Sequence, residues 1–301
     1  MTLVQLRAFI AISETLHFGR AADRLGIAQP TISKEIRRLE RTVGVPLFKR
    51  SAGGTTLTSA GEQLRVPAVA VLESLRLFET ATVLAQREQR GTVTIAASPS
   101  IVNALLPDTL RAVDDQQLGL TVEAVEVETG EVLGAVESGN ADIGIGHLIG
   151  EPTHALKRRL GQDEIQVLLH RSLARSTKGR MELSRLKNVA FLLWARERNP
   201  AYYDHLMDIC RSRGLEPPVL TGTSRISGSW RYFLEDGRAF SLVPADFARQ
   251  EARAGLVAHP LEPAAFVPLE VTWHPGPSQD VKQILHALFH LTRDRRSPPG
   301  A

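Results

Sequence analysis

Between residues 18 and 43, the apolar side chains are spaced as two short helices joined by a tight turn, and this spacing strongly constrains the fold. Gly26 can end the first helix in a left-handed conformation, and Pro30 falls in the first turn of the second, where a missing N–H is tolerated. Apolar residues then recur at intervals of 4, 3 and 4, at Ile32, Ile36, Leu39 and Val43. The sequence therefore predicts a helix-turn-helix.

A further helix is predicted before this pair, over residues 3 to 16. Its apolar residues suit one buried face, since they recur at helical spacing: Leu3, Leu6, Phe9, Ile10 and Ile12. Together, the three helices predict a small helical domain at the start of the chain.

The second helix of the pair turns a polar and cationic face away from its apolar stripe, at Thr31, Lys34, Arg38 and Arg41. Gln29, at the entry to this helix, can both donate and accept hydrogen bonds, so the face suits a helix laid in the major groove of DNA. Residues 1–65 hold ten Lys or Arg against five Asp or Glu, whereas the remaining residues hold 26 against 28. A basic head on a slightly acidic body indicates a polyanionic partner. A solvated charged helix face is the alternative.

After Gly44, polar and apolar residues alternate around Ala52, Gly53 and Gly54, as in a small hairpin. Such a hairpin is the wing of a winged helix-turn-helix. Lys49 and Arg50 at its base are placed to contact phosphates, which position a protein on DNA without reading its sequence. An ordinary basic hairpin is the alternative.

The run FGRAADRLGIAQPTISKEIRRLERTVGVPLFKR, followed by LTSAGE, resembles the N-terminal domain of LysR-type transcriptional regulators nearly position for position. The resemblance covers about the first 65 residues and implies a winged helix-turn-helix DNA-binding domain over residues 1–58. It implies that Arg50 contacts the DNA backbone and that the groove-reading positions are Gln29, Pro30, Thr31, Ser33 and Lys34. It also implies assembly into a tetramer on two half-sites of double-stranded DNA.

A long connecting helix is predicted over residues 59–90. Ser59 and Glu62 have the spacing of a capping box at its start, and Pro67 should kink it near the second turn. A heptad-like seam follows at Leu64, Ala68, Val71, Leu75, Phe78, Thr82 and Ala85. A second copy of the helix would bury this seam, which predicts a homodimer. Packing against its own chain is the alternative.

Residues 91–301 alternate between strand-like and helix-like segments in two groups, which predicts an α/β body. The first group contains TVTIAA, LTVEAVEV and ADIGIG, the second contains VAFLL, PVLTG and AFSLVP, and a final VPLEVTWH and VKQILHALFHL return to the first. We expect subdomain 1 at about 91–163 and 268–301, and subdomain 2 at about 164–267. Two such subdomains with two crossings make a hinged cleft, as in the periplasmic-binding-protein-like effector domains of the family that the head resembles.

Several polar turns follow strands and open helices in this body, and helix N-termini attract carboxylates. We therefore expect a small anionic effector. Arg196 and Arg225 could add cationic clamps, or could be ordinary surface arginines. His147 stands where some relatives controlling aromatic-compound catabolism have a cleft arginine, and a hydrogen-bonded structural histidine is the alternative. The predicted effector-binding residues are Ser98, Ser100, Thr129, His147, Arg196, Asn199, Thr223 and Arg225.

The sequence offers no specific sign of catalysis, of a cofactor or of a metal site. H-E-x-x-H, Walker A and G-x-S-x-G motifs do not occur, and the glycines of GIGHLIG are followed by Glu151-Pro152 where a phosphate-binding helix should begin. The single cysteine, Cys210, lies among apolar residues and cannot form an internal disulfide. No secretory signal and no apolar run of ~18 residues occurs, so we expect a soluble cytoplasmic protein without membrane contact.

These features predict a transcription regulator whose operator binding or DNA bending is modulated by a small carboxylate-bearing effector. The alternative is an architectural or nucleoid DNA-binding protein with an oligomerising body and no ligand. Only the first explains about 200 residues of hinged α/β body.

Overall fold

A computed structural model describes residues 1–51, 54–114, 120–174, 179–222 and 231–293 of the chain. The chain divides into two compact units, Met1–Thr82 and Val83–Ala301. No helix in these described ranges is long and apolar enough to cross a membrane.

The first unit begins with three helices, α1 (Leu3–Thr15), α2 (Phe18–Leu25) and α3 (Gln29–Val43). Gly26 and Gly44 end α2 and α3 in the left-handed region, with φ of 65° and 80°, so the predicted helix-turn-helix is confirmed. The three helices enclose one core that includes Leu6, Phe9, Ile12, Ile32, Ile36 and Leu39. The prediction for Leu3 was wrong, because it lies in the exposed first turn of α1.

The wing is an antiparallel hairpin of β1 (Phe48–Ser51) and β2 (Gly54–Leu57), with Phe48 opposite Leu57. Its entry is fixed to α3, since the Glu40 carboxylate accepts hydrogen bonds from the backbone N–H groups of Leu47 and Phe48, at 2.8 and 3.3 Å. Phe48 also makes edge-to-face contacts with Phe9 and Phe18. The hairpin is therefore a packed part of the head.

The connecting helix α4 spans Ser59–Arg90 and continues through Pro67. Its N-cap is Thr58, whose Oγ1 accepts from the Gly61 N–H at 3.0 Å, so the predicted capping box starting at Ser59 was one residue late. Gly61 is required there, because a Cβ would lie 2.3 Å from the Leu47 carbonyl oxygen. Of the predicted seam, Ala68 packs into the core of the head, whereas Leu64, Val71 and Phe78 are exposed.

The body contains one eight-stranded sheet in the order β4-β3-β5-β10-β6-β9-β7-β8. Its strands are β3 (Thr92–Ala97), β4 (Thr121–Glu126), β5 (Ile143–His147), β6 (Leu156–His170), β7 (Ala190–Leu193), β8 (Val219–Thr221), β9 (Ala239–Pro244) and β10 (Leu256–Trp273). The long strands β6 and β10 pair antiparallel along their length, while β3 pairs parallel to β4 and β5, and β7 pairs parallel to β8 and β9. Two parallel groups joined by two long strands give the predicted α/β architecture.

Helices cover both groups of strands. They are α5 (Pro99–Val102), α6 (Leu105–Asp114), α7 (Val132–Glu137), α8 (Pro200–Arg211), α9 (Arg231–Glu235), α10 (Ala245–Glu251) and α11 (Gln279–Leu291), with 3₁₀ turns at Arg171–Leu173, Leu183–Leu186 and Arg196–Arg198. As predicted, α11 returns to the first group, where it packs with α6 around Ile95 and Ile143.

The body has two main hydrophobic cores, which define two lobes. Lobe 1 carries β3, β4 and β5, and lobe 2 carries β7, β8 and β9. Along β6 the core changes from that of lobe 1 at Leu160 to that of lobe 2 at Ile165, and along β10 it changes back between Val267 and Leu269. The long strands are thus the two crossings between the lobes.

Candidate DNA-binding and effector sites

The start of α3 presents the side chains that the sequence places at a DNA groove. Gln29, Pro30, Thr31 and Lys34 are exposed there. Ser33 differs, because it is buried at 8% exposure beside Ile32, and its backbone carbonyl accepts from Arg37. The structure thus places Ser33 on the buried side of α3 and not on its exposed face.

Further along the same face, Arg38 is exposed and forms an ion pair with Glu35 at 2.7 Å. A surface cavity of about 820 Å³ follows this helix and adds Arg37 and Arg41 to the cationic lining. Arg37 was not among the predicted residues, although it lies three residues after Lys34 and so could be expected near the same side of α3. Lys49 is exposed on the wing, and the side chain of Arg50 lies outside the described structure.

In the body, residues that follow the parallel strands join the two lobes. The Asn199 Nδ2 donates to the Leu148 carbonyl at 3.0 Å, and Arg198 pairs with Glu128 at 3.1 Å. On α10, the Gln250 Nε2 donates to the Asn103 carbonyl at 2.8 Å. The carboxyl ends of β3, β4 and β5 therefore lie toward those of β7 and β9, and such ends form ligand sites in α/β sheets.

Gly130 permits the close approach of the 128–130 loop of lobe 1 to Arg198 of lobe 2. Its φ is +103°, and a Cβ at this position would lie 1.9 Å from the Arg198 carbonyl oxygen. Any side chain would force the 128–130 loop of lobe 1 away from Arg198 of lobe 2.

Ser98 and Ser100 lie in this region, at the start of α5, and Thr129 lies in the turn after β4. Ser98 is buried, and its Oγ is 3.4 Å from the Ser100 Oγ. Ser100 and Thr129 are half-buried. All three supply hydroxyl groups where the strands of lobe 1 end, as the sequence predicted.

Three other predicted effector residues are already engaged within the protein. Arg196 is exposed and forms a bidentate pair with Asp204, at 2.7 and 2.5 Å. Its guanidinium hydrogen bond holds the pKa of the Asp204 carboxyl below its usual range. Asn199 is buried, and its Oδ1 caps α8 by accepting from the Tyr202 N–H. Both side chains therefore have protein partners in this structure, and their roles in effector binding stay predictions.

His147 is the third, buried at the end of β5. Its Nε2 lies 2.8 Å from the Asp163 Oδ2 on β6, and its ring centroid lies 5.9 Å from that of Tyr202. Burial, with the nearby Asp163 charge, raises the pKa of Tyr202. This contact fits the alternative interpretation of a hydrogen-bonded histidine, and a role for His147 in effector binding stays a prediction. Thr223 and Arg225 lie outside the described residues.

Several residues at or near the contact between the lobes were not predicted from the sequence. Leu148 has a left-handed φ of 45°, and its side chain packs against the core of lobe 2. Trp194, directly after β7, contacts Tyr202 with ring centroids 5.2 Å apart. Glu128 and Asp163 had no local signal, since their partners lie 70 and 16 residues away.

No group of three or more His, Cys, Asp or Glu residues in the described ranges could hold a metal ion. Cys210 is buried on α8, and burial raises the pKa of its thiol to about 12.

Family comparisons agree with the two-part geometry. Residues 3–62 match the model of the bacterial regulatory helix-turn-helix protein, lysR family, and residues 86–290 match the LysR substrate binding domain. This chain belongs to the LysR family. LysR-type proteins are transcriptional regulators and not enzymes, and the body is the family's effector-binding domain.

Relatives within the LysR family extend over most of the chain. The HTH-type transcriptional regulator ClcR of Pseudomonas putida is 29% identical over 248 residues, 82% of this chain and 84% of ClcR. The regulator BudR of Raoultella terrigena is 29% identical over 298 residues, 98% of this chain and 97% of BudR. Among solved structures, a Corynebacterium glutamicum OxyR C206 mutant matches with a TM-score of 0.57 at 25% identity, covering 98% of this chain and 92% of that one.

Proposed function

We propose that this LysR-type regulator binds operator DNA through α3 and the wing, and that a small carboxylate-bearing effector in the body changes its operator binding or DNA bending. The exposed face of α3 carries the proposal for DNA. Gln29 and Lys34 stand at its first turns, and Arg37, Arg38 and Arg41 continue it. A polar entry followed by cations fits base contacts at the helix start and phosphate contacts further along.

The region between the lobes supports the effector proposal. Ser98, Ser100 and Thr129 present hydroxyl groups at the carboxyl ends of the lobe 1 strands, where Asn199 and Gln250 of lobe 2 contact lobe 1. The nearby cations Arg196 and Arg198 are paired with Asp204 and Glu128. An anion would therefore be held mainly by hydroxyl and backbone N–H groups, which suits one small carboxylate.

Oligomerisation through α4 is the third part of the proposal. Leu64, Val71 and Phe78 leave an apolar row exposed on the helix, and a second copy would bury it. The family resemblance extends the dimer to a homotetramer on two half-sites. A protein acting on promoter DNA of a bacterial chromosome works in the cytoplasm.

The architectural alternative is less well supported. It leaves the two-lobed body and its match to a substrate binding domain without a role. It also predicts that the body responds to no small molecule, which gives a direct way to separate the two hypotheses.

Two measurements on the full chain test the proposal. Footprinting on the DNA upstream of its own gene should show protection that weakens steeply between 50 and 200 mM salt, because phosphate contacts release counterions. A thermal-shift screen of small carboxylates should find a compound that raises the melting temperature, since a ligand stabilises by RT ln(1 + [L]/Kd). Salt-independent DNA binding would contradict the DNA half, and a flat screen would favour the architectural alternative.

A further inference from the structure

The last turns of α4 are attached to the body by one side chain. The Arg87 Nη2 donates to the Asn140 carbonyl at 2.8 Å, and its Nη1 lies 3.8 Å from the Asp142 Oδ1. The Asp142 side chain is nearly fully buried, at 8% exposure, whereas that of Arg87 keeps 21%. Arg87 thus ties the helix that leads from the head to the residues just before β5.

Asp142 is itself fixed to the central sheet. Its Oδ2 accepts from the Thr94 N–H of β3 at 2.7 Å, and its own N–H donates to the Thr94 carbonyl at 2.9 Å. β5 begins at the next residue and is buried along its whole length between β3 and β10. A strand held on both sides moves as a rigid element.

The far end of β5 reaches the contact between the lobes. After His147, Leu148 packs into the core of lobe 2, and its carbonyl accepts from the Asn199 Nδ2. Five residues of strand, roughly 16 Å at the usual rise, separate Arg87's contact from this inter-lobe contact. Both ends of one buried strand therefore carry a contact that a conformational change could alter.

The Arg87 contact also has room to change. Among the described residues, the buried Nη1 has no hydrogen-bond partner. A shortening of about 1 Å toward Asp142 would turn the 3.8 Å approach into a charge-assisted hydrogen bond. If the distance between Arg87 and Asp142 can be long or short, it can change when the other end of β5 is displaced.

We propose that Arg87 and Asp142 couple the connecting helix to β5, so that a change at the Leu148–Asn199 contact between the lobes alters the end of α4. The consequence for DNA rests on the proposed function, because α4 leads to the DNA-binding head. The coupling itself requires neither DNA nor effector, so it can fail while the proposed function stands.

Hydrogen exchange on the full chain, followed in peptides covering residues 83–90, tests this coupling without a ligand. Asn199→Asp keeps the Oδ1 that caps α8 but removes the Nδ2 donor to Leu148. In the otherwise wild-type chain, we expect it to change exchange at 83–90 about threefold or more, since amides exchange through local opening. In an Arg87→Gln background, Asn199→Asp should leave that exchange unchanged.

Arg90→Gln is the matched control, because Arg90 is an exposed arginine at the end of the same helix. It should preserve the response to Asn199→Asp. Asp142→Asn supplies a second background that keeps an acceptor for Thr94, and it should abolish the response as Arg87→Gln does. An unchanged 83–90 segment in the Asn199→Asp single variant, or an equal response in all backgrounds, would overturn the proposal.

Discussion

Gln29 occupies the first position of α3, and its amide is exposed beside Pro30 and Thr31. An exposed amide here can form the paired donor and acceptor contacts that recognise adenine in the major groove. Lys34, one turn later, can reach guanine acceptors or a phosphate. Gln29 is therefore suited to base contacts, whereas Lys34 can contact either a base or the DNA backbone.

Gln29→Ala should weaken binding to the operator by about 1 to 3 kcal/mol while leaving binding to random duplex nearly unchanged. Fluorescence anisotropy on both DNAs at one salt concentration measures this difference. Gln86→Ala, an exposed glutamine near the end of α4, should bind both DNAs like wild type. Equal losses on operator and random DNA would show that Gln29 only positions the protein.

Cys210 should be chemically silent in the folded protein. With a pKa of about 12, its thiolate fraction at pH 8 is about a thousandfold below that of an exposed cysteine, and burial also blocks reagents. We expect labelling by a thiol-reactive disulfide reagent only after unfolding in guanidinium. A Cys210→Ala, Ser138→Cys variant, with its thiol at an exposed position, should react at once in the native state. Fast native labelling of wild type would contradict the burial.

The sequence could identify residue types at the carboxyl ends of strands but not their partners. Ser98 and Thr129 follow strands as predicted, whereas the predicted ligand residues Arg196 and His147 are paired with Asp204 and Asp163. Asp204 lies eight residues after Arg196, on α8. Asp163 lies on β6, a strand that was not predicted from the sequence. Whether a polar side chain is available to a ligand depends on such tertiary contacts, which leave no local pattern.

At the scale of elements, α4 combines two roles along one helix. Ala68 packs into the core of the head, and Arg87 attaches the other end to the body, while Val71 and Phe78 between them remain exposed. Phe78 keeps 71% of its surface exposed, and burying a phenylalanine stabilises by about 1.5 to 3 kcal/mol. The middle of the helix would therefore gain stability from a second copy.

Phe78→Asp should disfavour self-association, because a partner helix would then bury an unpaired carboxylate. Leu75→Asp, on the same row but half-buried, should act in the same direction. Sedimentation velocity should show both variants shifted to smaller species, and Ala70→Gln, at an exposed position away from the seam, should keep the wild-type distribution. A folded Phe78→Asp variant with unchanged sedimentation would contradict the apolar seam.

Strands with simple patterns were predictable, whereas β6 was not predicted and β10 was predicted only in its last part, VPLEVTWH. TVTIAA and AFSLVP are short apolar runs, and they form β3 and β9 as predicted. In β6, the charged stretch LKRRLGQDE precedes the apolar one, and in β10 three prolines interrupt the pattern. Each of these strands crosses from one lobe to the other, so its two halves face different surroundings and no single periodicity runs through it.

At the scale of the whole molecule, the body can act as a switch only if its ligand binds two arrangements of the lobes unequally. Among the described residues, polar contacts of Asn199, Arg198 and Gln250 join the lobes. Each is a single hydrogen bond or ion pair, so a modest difference in ligand affinity is enough to change which contacts form. Under the proposed function, we expect closure around a ligand to alter the spacing of two heads on DNA, whose half-sites follow a helical repeat of about 10 base pairs.

Ser98→Ala and Thr129→Val should therefore weaken the response to a carboxylate found in the thermal-shift screen while sparing effector-free operator binding. Each removes a hydroxyl where the lobe 1 strands end, and loss of a hydrogen bond to a charged group costs about 1.5 to 3 kcal/mol, or roughly ten- to a hundredfold in affinity. Calorimetric titration gives the affinity, and footprinting with and without the carboxylate gives the response. Ser138→Ala, an exposed serine of lobe 1 after α7, should behave like wild type in both. If Ser98→Ala and Thr129→Val also bind and respond like wild type, the effector is held elsewhere in the body and these strand ends do not form its site.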